Sequence, residues 1–234
     1  MADQNDTDAQ VMDRLLDAVL THVPFDGWSK TSFRAAIAES GVDPIVAEAV
    51  CPRGAVDLAL AFHRRGDDLM VQRLHEEDLT ALKFREKIER AVQLRLQVIE
   101  DKEAVRRGAT LFSLPIYAAD GARAVWATVD TIWSELGDKS DDVNWYTKRA
   151  TLYAVYSATV LYWLGDESPE NQRTWNFLGR RIDDVMQIET LKKKVNDNAF
   201  LKPFMAGPNW VMGMIKAPSQ TSRMDLPGTI NRQN

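Results

Sequence analysis

The chain has 234 residues, 45% of them apolar and 9% aromatic, enough for a substantial core in one large domain or in a small domain followed by a larger one. Its single cysteine, Cys51, excludes an internal disulfide and any multi-cysteine metal site, and reads as a buried small hydrophobe. The formal net charge of -5 is uneven, because seven Lys and Arg against three acids follow from Glu189 onward: the acidic body repels nucleic acid, whereas the basic, partly apolar tail favours an anionic membrane surface.

Residues 1–7 are polar and acidic, resembling neither a secretory signal nor an Arg-rich transit peptide, and are expected to be disordered. From there apolar residues recur at three- and four-residue steps, with Pro or Gly as punctuation, and nothing alternates as a strand does. The expectation is an all-α chain. A first helix runs from Asp8 to His22, with Val11, Leu15, Ala18 and Val19 on one side, and stops before Pro24. Ser29 or Lys30 opens a second, carrying Phe33, Ala36 and Ile37 and closed by Gly41. Val42-Asp43-Pro44 opens a third, with Pro at a favoured first position. Longer helices follow at about 53–80, 82–101, 103–111, 119–136, 142–164 and 169–195 (boundaries read from the sequence). The stretch Ala150–Leu164 has no charged side chain in fifteen residues, which predicts a helix surrounded on every side at the centre of a bundle. It is too short, and too rich in Thr, Ser and Tyr, to span a membrane.

Residues 8–52 thus have the layout of a helix-turn-helix module, and residues 53–196 that of a larger helical bundle. The arrangement resembles TetR-type regulators, which implies a TetR-like all-α fold and, as one reading, a ligand-responsive transcriptional regulator. Against DNA binding, the segment Asp43–Val50 offers only Asp43 and Glu48 as charged residues, where a recognition helix delivers Lys, Arg, Asn or Gln to phosphates and bases. The chain then continues as Ala49-Val50-Cys51-Pro52, without the aromatic and basic cluster that meets the phosphate backbone in those regulators. No nucleic-acid partner is expected.

Catalysis has no visible carrier. Only His22, His63 and His75 are present, none with a Glu three residues before it, so the Glu-x-x-His pair of di-iron bundles is missing, as are phosphate-binding and dinucleotide Gly loops. Neither enzyme activity nor a cofactor or metal is expected.

The run Asp141-Asp142-Val143-Asn144-Trp145-Tyr146-Thr147-Lys148-Arg149 is the most distinctive in the chain. Its acids and Asn144 suit a helix start. Trp145 and Tyr146 beside Lys148 and Arg149 fit either core packing or the aromatic and Arg anchors of a protein interface. Together with Val129-Asp130-Thr131-Ile132-Trp133, Gly137-Asp138, Ser168-Pro169, Thr174-Trp175, Phe177-Leu178 and Arg181-Ile182, and with Val23-Pro24 and Gly27-Trp28 near the start, this run resembles the lipid-binding accessory proteins of coenzyme Q (ubiquinone) biosynthesis. The resemblance covers most of residues 10–190 and does not extend in detail to the final 45.

That resemblance implies an isoprenoid or quinone lipid held in the bundle and presented to a membrane-associated hydroxylase of the pathway. It implies a partner surface of Asp130, Ile132, Asp142, Trp145, Tyr146 and Arg149. The aromatics between Phe112 and Phe177, with the kink at Pro115, fit either a filled core or an apolar cavity; the resemblance favours a cavity near Leu111, Leu114, Tyr117, Trp126, Val129, Trp133, Tyr153, Tyr156 and Phe177. Residues 197–216, with Leu201, Phe204, Met205, Trp210, Val211, Met214 and Ile215 beside lysines, suit an amphipathic membrane-contact segment, or one packed on its own bundle or on a second subunit. Residues 217–234 read as a disordered tail. A homodimer is expected. The location expected is cytoplasmic and peripheral to the bacterial inner membrane, or the matrix side of the mitochondrial inner membrane.

Overall fold

A computed structural model describes residues 7–140 and 143–196. Asp142, the membrane-contact residues Leu201, Phe204, Met205, Trp210, Val211, Met214 and Ile215, and the stretches 1–6 and 217–234 lie outside the described residues. Nine α-helices and one short 3-10 turn make up the regular structure among the described residues: α1 (Asp8–Asp26), α2 (Lys30–Ser40), α3 (Pro44–Val50), α4 (Ala55–Glu76), α5 (Phe84–Gln97), α6 (Lys102–Phe112), α7 (Ala118–Glu135), α8 (Val143–Leu164) and α9 (Gln172–Asn196).

Local chemistry sets the ends of these helices. Thr7, expected to be disordered, caps α1, its side chain accepting from the Gln10 N–H while Gln10 returns a bond to the Thr7 backbone. Ser29 and Ser32 form the same reciprocal pair at α2, and Asp43 accepts from Ile45 and Val46 at α3. Gly41 ends α2 in the left-handed conformation. The expected stop before Pro24 does not occur: α1 runs on to Asp26 with Pro24 in its last turn. A proline there forfeits a single backbone bond, and Gly27 N–H closes the helix onto the Val23 carbonyl at 2.9 Å.

Two hydrophobic clusters hold the helices together. The first joins Leu15, Leu16, Val19 and Val23 of α1 to Phe33 and Ala36 of α2, Ala47 of α3, Leu58 of α4 and Ala104 of α6. Cys51 is buried within it, beside Met12, and burial pushes its thiol up to about 11, as expected of an inert hydrophobe. The second gathers Met70 and Leu74 of α4, Val92 of α5, Val129, Ile132 and Trp133 of α7, Leu152, Val155 and Tyr156 of α8, and Leu178 and Ile182 of α9. Helix α4 contributes to both, so the N-terminal module and the bundle share one continuous strut.

Helix α8 is not surrounded on every side. Leu152, Val155, Tyr156, Thr159 and Trp163 are buried, but Ala150, Ala154, Leu161 and Tyr162 face outward, Leu161 with 67% of its surface exposed. The absence of charge reports an apolar helix, and here one side of that helix is left bare. The acidic third helix stands as the sequence reads it: Ile45 and Val46 are exposed, and Asp43 is engaged in capping.

Candidate functional site

Between the two clusters lies a cavity of about 340 Å³. Trp28 closes one end, its indole N–H donating to the Ala104 carbonyl at 3.0 Å. The walls come from Ala59, Phe62 and His63 of α4, Arg95, Leu96 and Ile99 at the end of α5, and Val105, Gly108, Ala109 and Phe112 of α6. Ala118, Gly121, Ala122 and Val125 of α7 and Tyr153, Tyr156, Ser157, Val160 and Leu161 of α8 complete them. The lining residues that reach solvent, Ala109, Ser113, Ala118, Ala122 and Leu161, place the mouth between α6, α7 and the C-terminal half of α8. Leu114 and Ile116, in the turn between α6 and α7, are exposed beside that mouth.

The inner wall is polar. Arg95, with 3% of its side chain exposed, donates from Nε to Asp67 Oδ1 at 2.6 Å and from Nη2 to the His63 carbonyl at 3.0 Å. Thr128 donates its hydroxyl to Asp67 at 2.8 Å, so the His63 Nε2 lying 2.8 Å from the same oxygen is read as the protonated nitrogen of a neutral ring. Burial, reinforced by the Arg95 guanidinium, pushes the His63 imidazole down to about 4, with Asp67 opposing. Gly66 makes room for this arrangement, because a Cβ there would stand 2.5 Å from Arg95 Nη1. A buried ion pair of this kind is costly to desolvate and persists only with its remaining hydrogen bonds satisfied.

A second polar assembly holds the corner between α7 and α8. Helix α7 ends in a Schellman turn: Asp138 N–H bonds the Trp133 carbonyl at 2.9 Å and Gly137 N–H the Ser134 carbonyl at 3.0 Å, with Gly137 at φ +79°. That turn aims the Asp138 carboxylate at α8, where it accepts from Lys148 at 2.8 Å and Arg149 at 3.0 Å. Burial pushes the Asp138 carboxyl up, but hydrogen bonds from Lys148, Ser140 and Arg149 outweigh it and hold it down at about 2. Arg149 also donates to Asp130 and sits over the Trp145 ring, its guanidinium carbon 4.0 Å from the centroid. Beyond α8, Asp166 accepts from Ser168 and Thr174, and Lys102 donates to the Trp163 and Asp166 carbonyls, giving the Ser168-Pro169 and Thr174 motifs a structural role.

These geometries sort the expected site residues. Tyr153 and Tyr156 line the cavity. Trp126 lies one layer behind, 6.4 Å from Tyr153 between ring centroids. Val129 and Trp133 are packed in the second cluster, Leu111 packs on the first, Leu114 is exposed, Tyr117 sits at the start of α7, and Phe177 stacks on Tyr162 at 4.6 Å; none of these lines the cavity. On the expected partner face, Ile132 is fully buried and Arg149 is 1% exposed, so neither presents a surface: Ile132 faces the bundle, and two aspartates draw Arg149 inward. Asp130 remains half exposed, and Trp145 and Tyr146 are half-buried, in edge contact at 4.8 Å. Trp145 touches Trp126 at 6.2 Å, so a chain of rings runs from Tyr146 through Trp145 and Trp126 to Tyr153 on the cavity wall.

The wall residues missing from the sequence reading are those of α4, α5, α6 and α7, Ser157, Val160 and Leu161 of α8, and Trp28. The only sequence signal for them is the Ala59, Phe62, His63 spacing on one face of α4. Among the described residues, no group of three or more His, Cys, Asp or Glu is placed to hold a metal ion, and no helix is long and apolar enough to cross a membrane.

Comparison with known proteins converges on one family. A family model described as COQ9 matches residues 118–189, the stretch that carries α7, the Gly137 turn, α8 and most of α9. "Ubiquinone biosynthesis protein COQ9-B, mitochondrial" of Xenopus laevis is 32% identical over 198 residues, 81% of this chain and 67% of that one. "Probable ubiquinone biosynthesis protein coq9, mitochondrial" of Dictyostelium discoideum is 32% identical over 77% of this chain, and the COQ9 protein of Homo sapiens 31% identical over 81%. The chain spans 61% and 62% of the length of these last two. Among solved structures, a TetR transcriptional regulator from Nitrosomonas europaea superposes with a TM-score of 0.60 at 18% identity, covering 74% of this chain and 96% of that one. At that identity the likeness speaks for the fold alone. On the strength of the sequence matches, the chain belongs to the COQ9 family, built on a TetR-like all-α fold.

Proposed function

We propose that this chain is a non-catalytic accessory protein of ubiquinone biosynthesis that takes an isoprenoid or quinone lipid into the cavity between α4 and α8 and hands it to a membrane-associated hydroxylase. The observation that carries this reading is the chain of rings: Tyr153 on the cavity wall touches Trp126, which touches Trp145 on the face beside Asp130 and Tyr146. Cargo space and docking surface are thus adjacent. The names of the relatives supply the pathway, and their mitochondrial label places those proteins at the organelle where such a step would occur.

The physical requirement is straightforward. A polyprenylated precursor does not cross water unaided, and a ring among acyl chains is hard for an aqueous active site to reach. The exposed Leu114, Ile116 and Leu161 around the mouth, with the apolar and basic segment 197–216, support contact with a membrane surface. The bare side of α8 supports a homodimer, which light scattering would check. In the decisive experiment, lipid co-purifying with the protein is identified by mass spectrometry, and flotation with anionic liposomes is compared with and without residues 197–234. Protein that carries no lipid and ignores liposomes would sink the proposal. The TetR-like fold keeps a ligand-responsive regulator as a second reading, and retardation of duplex DNA in a low-salt gel shift would favour it.

A further inference from the structure

We infer that the inner wall of the cavity is a head-group subsite, built for a neutral ring bearing hydrogen-bond-accepting oxygens, so that the lipid enters ring first with its apolar tail toward the mouth. This inference rests on the lipid-binding reading above and goes beyond it by naming which part of the ligand is held, and by which groups.

Ser113, Tyr153 and Ser157 add hydroxyls to an otherwise largely apolar lining, and at the inner wall Tyr156 and Arg95 carry donors that no protein group takes up. Tyr156 is 3% exposed, and its hydroxyl makes no hydrogen bond among the described residues. Arg95 spends Nε on Asp67 and Nη2 on the His63 carbonyl, leaving Nη1 without a partner among the described residues. Both residues line the cavity, and neither atom is among the sealed, unpartnered side-chain atoms of the described residues, so a ligand oxygen entering the cavity can accept from them. A pure hydrocarbon would leave both donors unmatched.

Charge narrows the class further. Asp67 neutralises Arg95, and His63 is held neutral by burial and by that same guanidinium, so the polar end carries no net charge to balance an anion. A diphosphate or carboxylate head would be an uncompensated buried charge. A ring with carbonyl or ether oxygens remains: acceptor-rich, uncharged and flat enough to lie against Tyr156. At about 340 Å³ the space accommodates such a ring and the start of a prenyl tail, with the remainder leaving past Ala118, Ala122 and Leu161. Bound this way the lipid is in its carried state, and hand-over begins as the ring withdraws past Tyr153, whose neighbour is Trp126.

The test titrates the full-length protein, by intrinsic Trp fluorescence, with a dimethoxybenzoquinone bearing a short prenyl tail, with farnesene and with farnesyl diphosphate. The quinone is expected to bind about tenfold tighter than farnesene, with the diphosphate weakest. Tyr156→Phe, which removes only the hydroxyl, is expected to lose several-fold in quinone affinity with little change for farnesene and no loss of Tm. Equal affinity for quinone and hydrocarbon, preference for the diphosphate, or an equal loss for quinone and farnesene in Tyr156→Phe would each overturn the subsite while leaving lipid binding intact. Failure of all three probes to bind would overturn both this inference and the reading beneath it.

Discussion

Arg149 Nη1 and Asp138 Oδ2 stand 3.0 Å apart with only 1% and 4% of their side chains exposed, which makes the most basic-looking end of the Asp141 to Arg149 run an internal brace between α7 and α8. Removing one member of such a pair leaves the other buried and uncompensated. Arg149→Ala is therefore expected to cost about 3–5 kcal/mol in a denaturant titration. Asp130→Ala, whose carboxylate is 43% exposed, should cost far less.

The same brace has an acid signature. Because folding holds the Asp138 carboxyl at about 2, below its ordinary 3.8, its contribution is complete above pH 4 and drains away as pH falls toward 2. The Tm difference between the native protein and Asp138→Asn should be largest near neutral pH and narrow progressively across that window.

His63 acts in an earlier window. An imidazole lowered from 6.5 to about 4 keeps the folded state neutral while the unfolded chain takes up a proton, so stability is full above pH 6.5 and declines as pH falls to 4, by about 3 kcal/mol at most. His63→Gln should flatten that part of the stability curve without touching the part below pH 4. A curve of unchanged slope between pH 6.5 and 4 would contradict the assignment.

Gly121 lets α6 and α7 close together beside the cavity: a Cβ there would sit 2.6 Å from the Cβ of Phe112, an atom with no freedom to swing away. Gly121→Ala is expected to destabilise by about 1–3 kcal/mol and to widen the mouth, seen as faster hydrogen exchange in α6. Filling the space works in the opposite sense. Ser157→Leu places apolar atoms in the cavity, so Tm should hold or rise while lipid carried through purification falls.

On the outer face, Tyr146 and Trp145 separate docking from packing. Tyr146→Ala should leave Tm within a few degrees and weaken capture of the pathway hydroxylase at least tenfold, as measured by co-purification. Trp145→Ala should also lower Tm, since its ring covers Arg149 and meets Trp126.

What the sequence makes legible is whatever local chemistry decides. Ser29, Asp43 and Gly41 announce the ends of α2 and α3, and the three- and four-residue periodicity places the remaining helices close to where they lie. The cavity is not local. Arg95 and Trp28 reach the wall because α5 and the α1–α2 turn are brought to it from 61 and 128 residues before Tyr156, a relationship no periodicity encodes. Charge misleads in the same way: Arg149 reads as part of a partner surface because the aspartates that draw it inward, Asp130 and Asp138, belong to the preceding helix and turn. Likewise Ala150–Leu164 reads as enclosed, whereas apolar character states what a helix avoids and not whether its neighbours cover it.

Trp126 belongs to two neighbourhoods at once, with Tyr153 on one side of it and Trp145 on the other. A genetic screen for loss of cargo and a screen for loss of docking would both return it, and its phenotype alone would assign it to neither. The residues that would sort the two lie away from it on either side, Tyr146 next to Trp145 and Val160 on the cavity wall, and pleiotropy at the position between them would be the mark of a wall with the proposed function on both sides.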